Sequence, residues 1–338
     1  MTTPAQPSPD LFFDTLTAYQ KTAALKAAID LNLFTALADA PATAAQVAKV
    51  CNAAERGVRI LCDYLTVLGF LHKSGDKYNL TADSAVFLSR KSPAYAGGVA
   101  DFLLSDHLDI PFKRLTDSVR KGGCAESPEG STSPEHPIWM TFAQSMGGLM
   151  AHAAAGLAEL LPLDANRPTK VLDISASHGV WGIAFAKKNP KAHLVALDWA
   201  PVLQITTKSA HAAGIAARFS TIAGSAFDVD LGADYDVVLV PNFLHHFNPA
   251  ECVRFLKRSH AALRPGGKVA IVEFVPNSDR ITPPQAAGFS LVMLATTPEG
   301  DAYTFDEYVA MLAEAGFQKP TPHSLPASMN QAVISVKK

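Results

Sequence analysis

The sequence predicts a C-terminal α/β domain with a Rossmann-like, doubly wound sheet, preceded by an N-terminal all-α domain of winged-helix type. Three observations predict it. From Thr169 onward, short apolar runs alternate with longer helical stretches, the rhythm of parallel strands joined by helices. In the first eighty residues, apolar positions instead recur at three- and four-residue spacings and close on a turn signal. A chain of 338 residues is also long enough to bury more than one core.

The N-terminal elements follow from the spacings. Residues 11–39 place Phe12, Leu16, Ala23, Leu25, Ala28, Leu31, Leu33 and Leu37 on a helical repeat that Pro41 stops. Thr43 reads as the N-cap of a short helix over 44–51. A third helix over 55–71 carries Val58, Leu61, Leu65 and Leu68 as one stripe, with Gly69 near its end. HKSGDKYNLT (72–81) then reads as a hairpin around Ser-Gly-Asp. Winged helices often bind DNA, but here the third helix carries Arg59 among many apolar residues and no Lys/Arg cluster. The apolar excess of residues 11–37 favours a protein–protein role instead.

Residues 98–163 read as further helices around a loop rich in Gly, Ser and Pro (121–137), expected to be exposed. The helix after it, 138–161, is expected to kink at Gly147-Gly148. Strands are expected at 170–174, 193–198, 218–224, 235–240 and 268–275, with helices at 181–189, 202–214 and 249–263. A helix over 305–317 and a strand over 331–338 close the chain. The expected domains are thus a dimerisation domain over 1–95, connecting and pocket-lining helices over 96–165, and the Rossmann-like domain over 166–338.

Composition narrows the partners. Nearly half the residues are apolar and the formal net charge is −2, so a polyanion is not the expected partner. The start, MTTPAQPSPD, is polar and Pro-rich, unlike a signal peptide, and no apolar run is long enough for a membrane span. Cys51, Cys62, Cys124 and Cys252 form no metal-like pair. A cytoplasmic protein with reduced thiols and no metal is the resulting expectation.

The chemistry concentrates at strand ends. VLDISASHGVWG (171–182) has an acidic residue, then small residues and Gly179, where the chain turns into a helix and its backbone can approach a ligand. The next strand ends in Asp198, a carboxylate placed to accept both ribose hydroxyls of an adenosine cofactor. GSAF (224–227) follows the third strand, where it can pass an adenine ring. PNFLHHF (241–247) and RPGGKVAIVEF (264–274) come after it.

Through VLDISASHG, VALDWAPVL, FLHHF followed by NPAEC, and ALRPGGKVAIVE, the chain resembles the class I S-adenosylmethionine-dependent methyltransferases, in the small-molecule O-methyltransferase group with an N-terminal winged-helix dimerisation domain. The resemblance runs over about residues 11–338 and implies a homodimer. It implies His245 as general base, Glu273 as the acid that holds its ring, and Asp198 as the ribose ligand. Asp173, Ser175, Ser177 and Gly179 map onto the family's glycine-rich loop. Trp199, Ser225, Ala226, Phe227 and Asn242 fall on the remaining cofactor positions. Phe142, Met146, Met150 and Met293 fall on the acceptor pocket, and His246, next to the base, is counted with His245 and Glu273 in the catalytic set.

Three departures stand out. Ser175 and Ser177 replace the first two loop glycines, and a left-handed backbone at Ser177 would cost about 1 kcal/mol or more. His246 stands where many relatives have Asp. Ala302 stands where plant relatives have a second Glu. The residues by themselves leave open transfer to carbon or nitrogen, and a cofactor binder without turnover. A nicotinamide dehydrogenase is disfavoured because this loop lacks the glycines that a pyrophosphate needs.

Overall fold

A computed structural model describes residues 6–338; the first five residues of the polar start lie outside the description. The chain divides into two compact units, Met1–Ala100 and Asp101–Lys338.

In the first unit the expected long helix is three: α1 (Asp10–Leu16), α2 (Ala18–Asp30) and α3 (Leu33–Ala36). The chain breaks where Asn32 takes a left-handed φ of 55°. Thr43 caps α4 (Ala44–Cys51) as expected, in a reciprocal box with Gln46. α5 (Glu55–Val67) ends earlier than anticipated, before Gly69 at φ 84°. The hairpin forms from β2 (Leu71–Ser74) and β3 (Lys77–Leu80), and β1 (Ala42–Thr43) pairs with β3. α6 (Ala82–Phe87) follows. Leu33, Phe34, Leu37, Leu65 and Tyr78 fill the core. The Tyr78 hydroxyl donates to Asp63, which also pairs with Lys73 and Arg59.

The second unit begins with short helices α7 (Ala100–Leu103), α8 (Asp106–Lys113) and α9 (Leu115–Lys121). The expected helix over 138–161 is broken into α10 (Ile138–Ser145) and α11 (Gly147–Leu160), with Met146 between them. The sheet is built from β4 (Thr169–Ile174), β5 (Ala192–Asp198), β6 (Phe219–Ala223), β7 (Tyr235–Pro241), β8 (Leu263–Glu273), β9 (Phe317–Ser324) and β10 (Gln331–Lys337). Its order is β6-β5-β4-β7-β8-β10-β9, and only β10 runs antiparallel to its neighbours. The other helices are α12 (Val180–Lys188), α13 (Ala200–Ala212), α14 (Pro249–Ala262), α15 (Pro284–Thr296) and α16 (Phe305–Glu314). β4 sits where the strand order reverses, so the carboxyl ends of β4, β5, β7 and β8 frame the ligand crevice of a doubly wound sheet.

Three further expectations for the second unit needed correction. α16 stops at Glu314, and Phe317 opens a strand that the sequence reading did not anticipate. β9 contains Pro320 and Pro322, which argue against a strand in sequence but are tolerated on a sheet edge. β8 starts at Leu263, ahead of the Pro-Gly-Gly segment, with a register shift against β7. The loop over 121–137 is not simply exposed. Its Gly123, Cys124, Gly130 and Ser131 are buried, and the Cys124 N–H donates to the Thr297 carbonyl at 2.8 Å.

The last contact explains one glycine. A methyl group at residue 123 would lie 2.1 Å from the Pro298 carbonyl oxygen, a backbone atom that no side-chain rotation can move. Gly123→Ala is therefore expected to destabilise the protein by about 1–3 kcal/mol. Thermal melting checks this: an unchanged melting temperature would mean that the loop is free of the 296–298 segment.

Candidate active site

The cofactor side of the crevice is built on strand ends. Asp173, at the end of β4, is fully buried. Its Oδ2 accepts from the Gly182 N–H at 2.9 Å, while its Oδ1 has no partner within the protein. Burial, with a smaller contribution from the Asp198 charge, pushes this carboxyl up to about 8. The chain then turns through Ser175 at φ 52° and Ser177 at φ 53°, both left-handed, before Gly179 at φ 81° opens α12. The strain that the replaced glycines imply is thus present at both serines. Ser177 is held on two sides: its N–H donates to Asp198 Oδ2 at 2.8 Å, and its carbonyl accepts from the Thr206 hydroxyl.

Asp198 ends β5, and its Oδ1 accepts from the Trp199 N–H at 2.7 Å. Burial pushes this carboxyl up to about 6. Each of its oxygens accepts one N–H and keeps a lone pair for a further donor. The sequence-predicted cofactor residues therefore suit the group that the resemblance implies. A buried, unpaired carboxylate oxygen suits a cation, and a carboxylate with free acceptor capacity suits a ribose diol. Of the GSAF segment, the Phe227 ring packs with Phe243, Phe247 and Phe255 under the Arg254 guanidinium. The Ser225 hydroxyl accepts from the Phe227 N–H, and the Ala226 carbonyl accepts from Arg258.

The base side is built on β8. Glu273, at its carboxyl end, is fully buried. Its Oε1 accepts from the N–H groups of Phe243, Leu244 and His245 at 2.9, 2.8 and 3.4 Å. Its Oε2 accepts from His245 Nδ1. That pairing leaves His245 Nε2 as the free ring nitrogen. His246 lies beside the base, ring centroids 4.2 Å apart, and its Nδ1 donates to the Phe243 carbonyl. Burial and the His245 neighbour hold His246 well below the ordinary imidazole range, so it stays neutral. The Trp139 ring meets His246 edge to face.

Among the expected pocket residues, Phe142 stacks on the His178 ring and meets Phe102 edge to face. Met146 and Met293 are buried, the latter on α15. Met150 reaches His178 and Asn242 through its sulfur. Several participants were not anticipated from sequence. Phe289 sets its edge on the His245 ring and stacks with Phe274. At Gly300 a methyl group would lie 2.3 Å from the His245 carbonyl. The Tyr303 hydroxyl donates to the Phe247 carbonyl, beside the buried Ala302 already singled out in the sequence. Asn330 donates to Asn242. His178 lies within VLDISASHGVWG and is legible there; Phe289, Gly300, Tyr303 and Asn330 come together only through tertiary packing. Among the described residues no cluster of His, Cys, Asp or Glu has metal-holding geometry, and no helix is long and apolar enough to cross a membrane. All four cysteines are free.

Asp173 gives a pH signature. An ordinary aspartate loses its proton near 3.8, whereas the folded protein holds this one to about 8. Its contribution to stability is therefore present at acidic pH and lost as pH rises through about 8. Asp198 acts in the same direction up to about 6. The ligand-free protein is expected to melt at falling temperature from pH 5 to pH 8. Asp173→Asn keeps an acceptor for the Gly182 N–H but cannot ionise, so its decline should be shallower. Equal slopes in the two proteins would show that Asp173 is ionised throughout.

Comparison with known proteins gives the family. The family model for an O-methyltransferase domain matches residues 140–318, and the model for the O-methyltransferase dimerisation domain matches residues 13–90. The crystal structure of a protein from Nostoc punctiforme PCC 73102 superposes with a TM-score of 0.95 at 52% identity, covering 98% of this chain and 100% of that one. The 3-hydroxy-5-methyl-1-naphthoate 3-O-methyltransferase of Streptomyces sahachiroi is 29% identical over 93% of this chain and 91% of its own length. The tetracenomycin polyketide synthesis 8-O-methyl transferase TcmO of Streptomyces glaucescens is 30% identical, over 89% and 88%. The strand-end carboxylates and the His–Glu pair thus sit in a matched domain covering more than half the chain, which belongs to the O-methyltransferase family of class I, S-adenosylmethionine-dependent methyltransferases.

Proposed function

We propose that this protein methylates a hydroxyl group of a small-molecule acceptor, with His245 as general base. The observation that carries this reading is the His245–Glu273 pair. A carboxylate anchored by three backbone N–H groups holds Nδ1 of the ring, so Nε2 carries the lone pair that can take a proton. Asp173, Ser175, Ser177 and Gly179 hold the amino-acid end of S-adenosylmethionine. Asp198 takes the ribose, and Trp199, Ser225, Ala226, Phe227 and Asn242 complete the cofactor site. Bound there, the cofactor supplies a methyl group already activated by its sulfonium centre.

The work left to the protein is alignment and one proton. Phe142, Met146, Met150 and Met293 wall the acceptor, and near-attack geometry does much of the rest. His245 takes the hydroxyl proton as the acceptor oxygen bonds to the methyl carbon. Glu273 stabilises the resulting imidazolium and keeps the ring in one tautomer. His246, neutral and bonded to the Phe243 carbonyl, shapes the pocket wall beside the base.

His245→Ala should keep affinity for S-adenosylhomocysteine and lose turnover by ~10²-fold or more with a weakly acidic phenol. The loss should shrink for phenols already ionised at the assay pH, which need no base. Assays of both proteins across phenols of graded acidity decide the matter. A uniform small loss would reduce His245 to a pocket wall.

The N-terminal unit supports homodimer formation. Leu11, Phe12, Phe13, Leu16 and Tyr19 are each 57–80% exposed along α1 and α2, and α1 buries none of its residues. An obligate dimer commonly covers more than ~2,000 Å², and such a surface suits a second copy of the chain. Light scattering is expected to give twice the monomer mass at micromolar concentration, and a monomer there would refute the proposal.

A further inference from the structure

The loop over 173–179 carries two left-handed serines. Such a conformation persists only where its surroundings over-determine it. Asp198 and Thr206 hold the N–H and the carbonyl of Ser177. Next to it stands His178, a side chain to which the proposed chemistry gives no role, in contact with Met150.

His178 follows directly on Ser177 and is 4% exposed. The Val180 N–H donates to its Nδ1 at 3.3 Å, which places the ring proton on Nε2. Burial lowers the imidazole to about 4, so the ring is neutral at physiological pH. Nε2 lies 3.2 Å from the sulfur of Met150, on α11. A second arm reaches the same sulfur. Asn330 donates to Asn242 Oδ1 at 3.0 Å, which turns the Asn242 amide nitrogen toward Met150 Sδ at 3.9 Å. Asn242 is itself left-handed, at φ 50°. Two N–H donors from two strained strand-end turns therefore converge on one thioether. The packing is close: a methyl group at Gly147 would lie 3.2 Å from His178 Cβ, and the Phe142 ring stacks on the imidazole.

We propose that Met150 is a positioning residue, the joint through which His178 and Asn242 hold the strained cofactor loop in its binding conformation. The inference rests on the reading of residues 173–179 as the cofactor loop. A thioether is a weak acceptor, but it is the group that both arms meet, and a buried N–H deprived of its acceptor is costly. Without the joint, the serines are free to relax away from φ > 0. Cofactor binding must then restore them.

The test is calorimetric titration with S-adenosylhomocysteine, which needs no acceptor. Met150→Leu preserves volume and removes the sulfur acceptor, and should weaken binding roughly tenfold. Glycines reach φ > 0 without penalty. In a Ser175→Gly/Ser177→Gly background the same change should therefore cost only about twofold. His178→Gln keeps an N–H donor and should retain most of the affinity, whereas His178→Leu should match Met150→Leu. Wild-type affinity in Met150→Leu would overturn the proposal. So would equal losses from that change in the serine and glycine backgrounds. The two His178 variants keep the question decidable if Met150→Leu fails to fold: equal affinities in them would also overturn it. If the wild type does not bind S-adenosylhomocysteine, the reading of the loop falls, and this inference with it.

Discussion

The site depends on one buried carboxylate. Glu273 sits at the end of β8 with no solvent exposure, and both its oxygens are committed. A charge taken out of water this completely must be met by donors. Here three backbone N–H groups and one imidazole meet it, all from residues 243–245. The turn after β7 is thereby pinned to the end of β8, and the direction of the His245 ring follows from it. Other groups close around the same turn. The Cys252 thiol donates to the Leu244 carbonyl, Tyr303 donates to the Phe247 carbonyl, and Gly300 packs against the His245 backbone. His245 is thus fixed through the backbone around it as well as through its side chain.

The cofactor side works by a different balance. Ser175 and Ser177 take a backbone conformation that favours glycine, at a cost of roughly 1 kcal/mol or more each. The loop is stabilised by the groups around it: Asp198 Oδ2, the Thr206 hydroxyl, and the Gly182 N–H on Asp173. Gly182 allows this closeness, since a methyl group there would lie 2.8 Å from Asp173 Oδ2 and 2.4 Å from Leu194. The two aspartates stay protonated at higher pH than usual because burial disfavours their charge. A cationic ligand would relieve that penalty. The ligand-free protein thus holds in strain and desolvation what a bound S-adenosylmethionine would release.

The two sides meet on the parallel part of the sheet. β4, β5, β7 and β8 are neighbours in that sheet, so their carboxyl ends deliver Asp173, Asp198, Asn242 and Glu273 to one edge. Asp198 and Glu273 close their strands, Asp173 is the last residue but one of β4, and Asn242 follows β7 directly. Helices α10 and α11, which carry Phe142 and Met150, reach the same edge through His178. Helices α10 and α11 and the loop over 173–179 are therefore tied by a side chain from the loop itself.

Local sequence determined much of this protein. Strand–helix alternation after Thr169 gave the sheet class, because its period depends only on which residues are apolar. Thr43 as an N-cap and Ser-Gly-Asp as a hairpin turn were equally legible, since caps and turns are local chemistry. That Asp198 and Glu273 end strands, and that His245 follows one, was legible because the apolar runs stop there. What local signals could not decide was anything set by neighbours distant in sequence. The edge strand over Phe317–Ser324 was hidden by Pro320 and Pro322, acceptable only because that strand has a free edge. The loop over 121–137 looked like exposed chain until the Thr296–Pro298 backbone bound it. Phe289, Gly300 and Asn330 carried no motif, and only packing brought them to the site. The physical reason is the same in each case: periodicity and turn chemistry act within a few residues, whereas burial and hydrogen-bond pairing are decided by whichever segments the fold brings together.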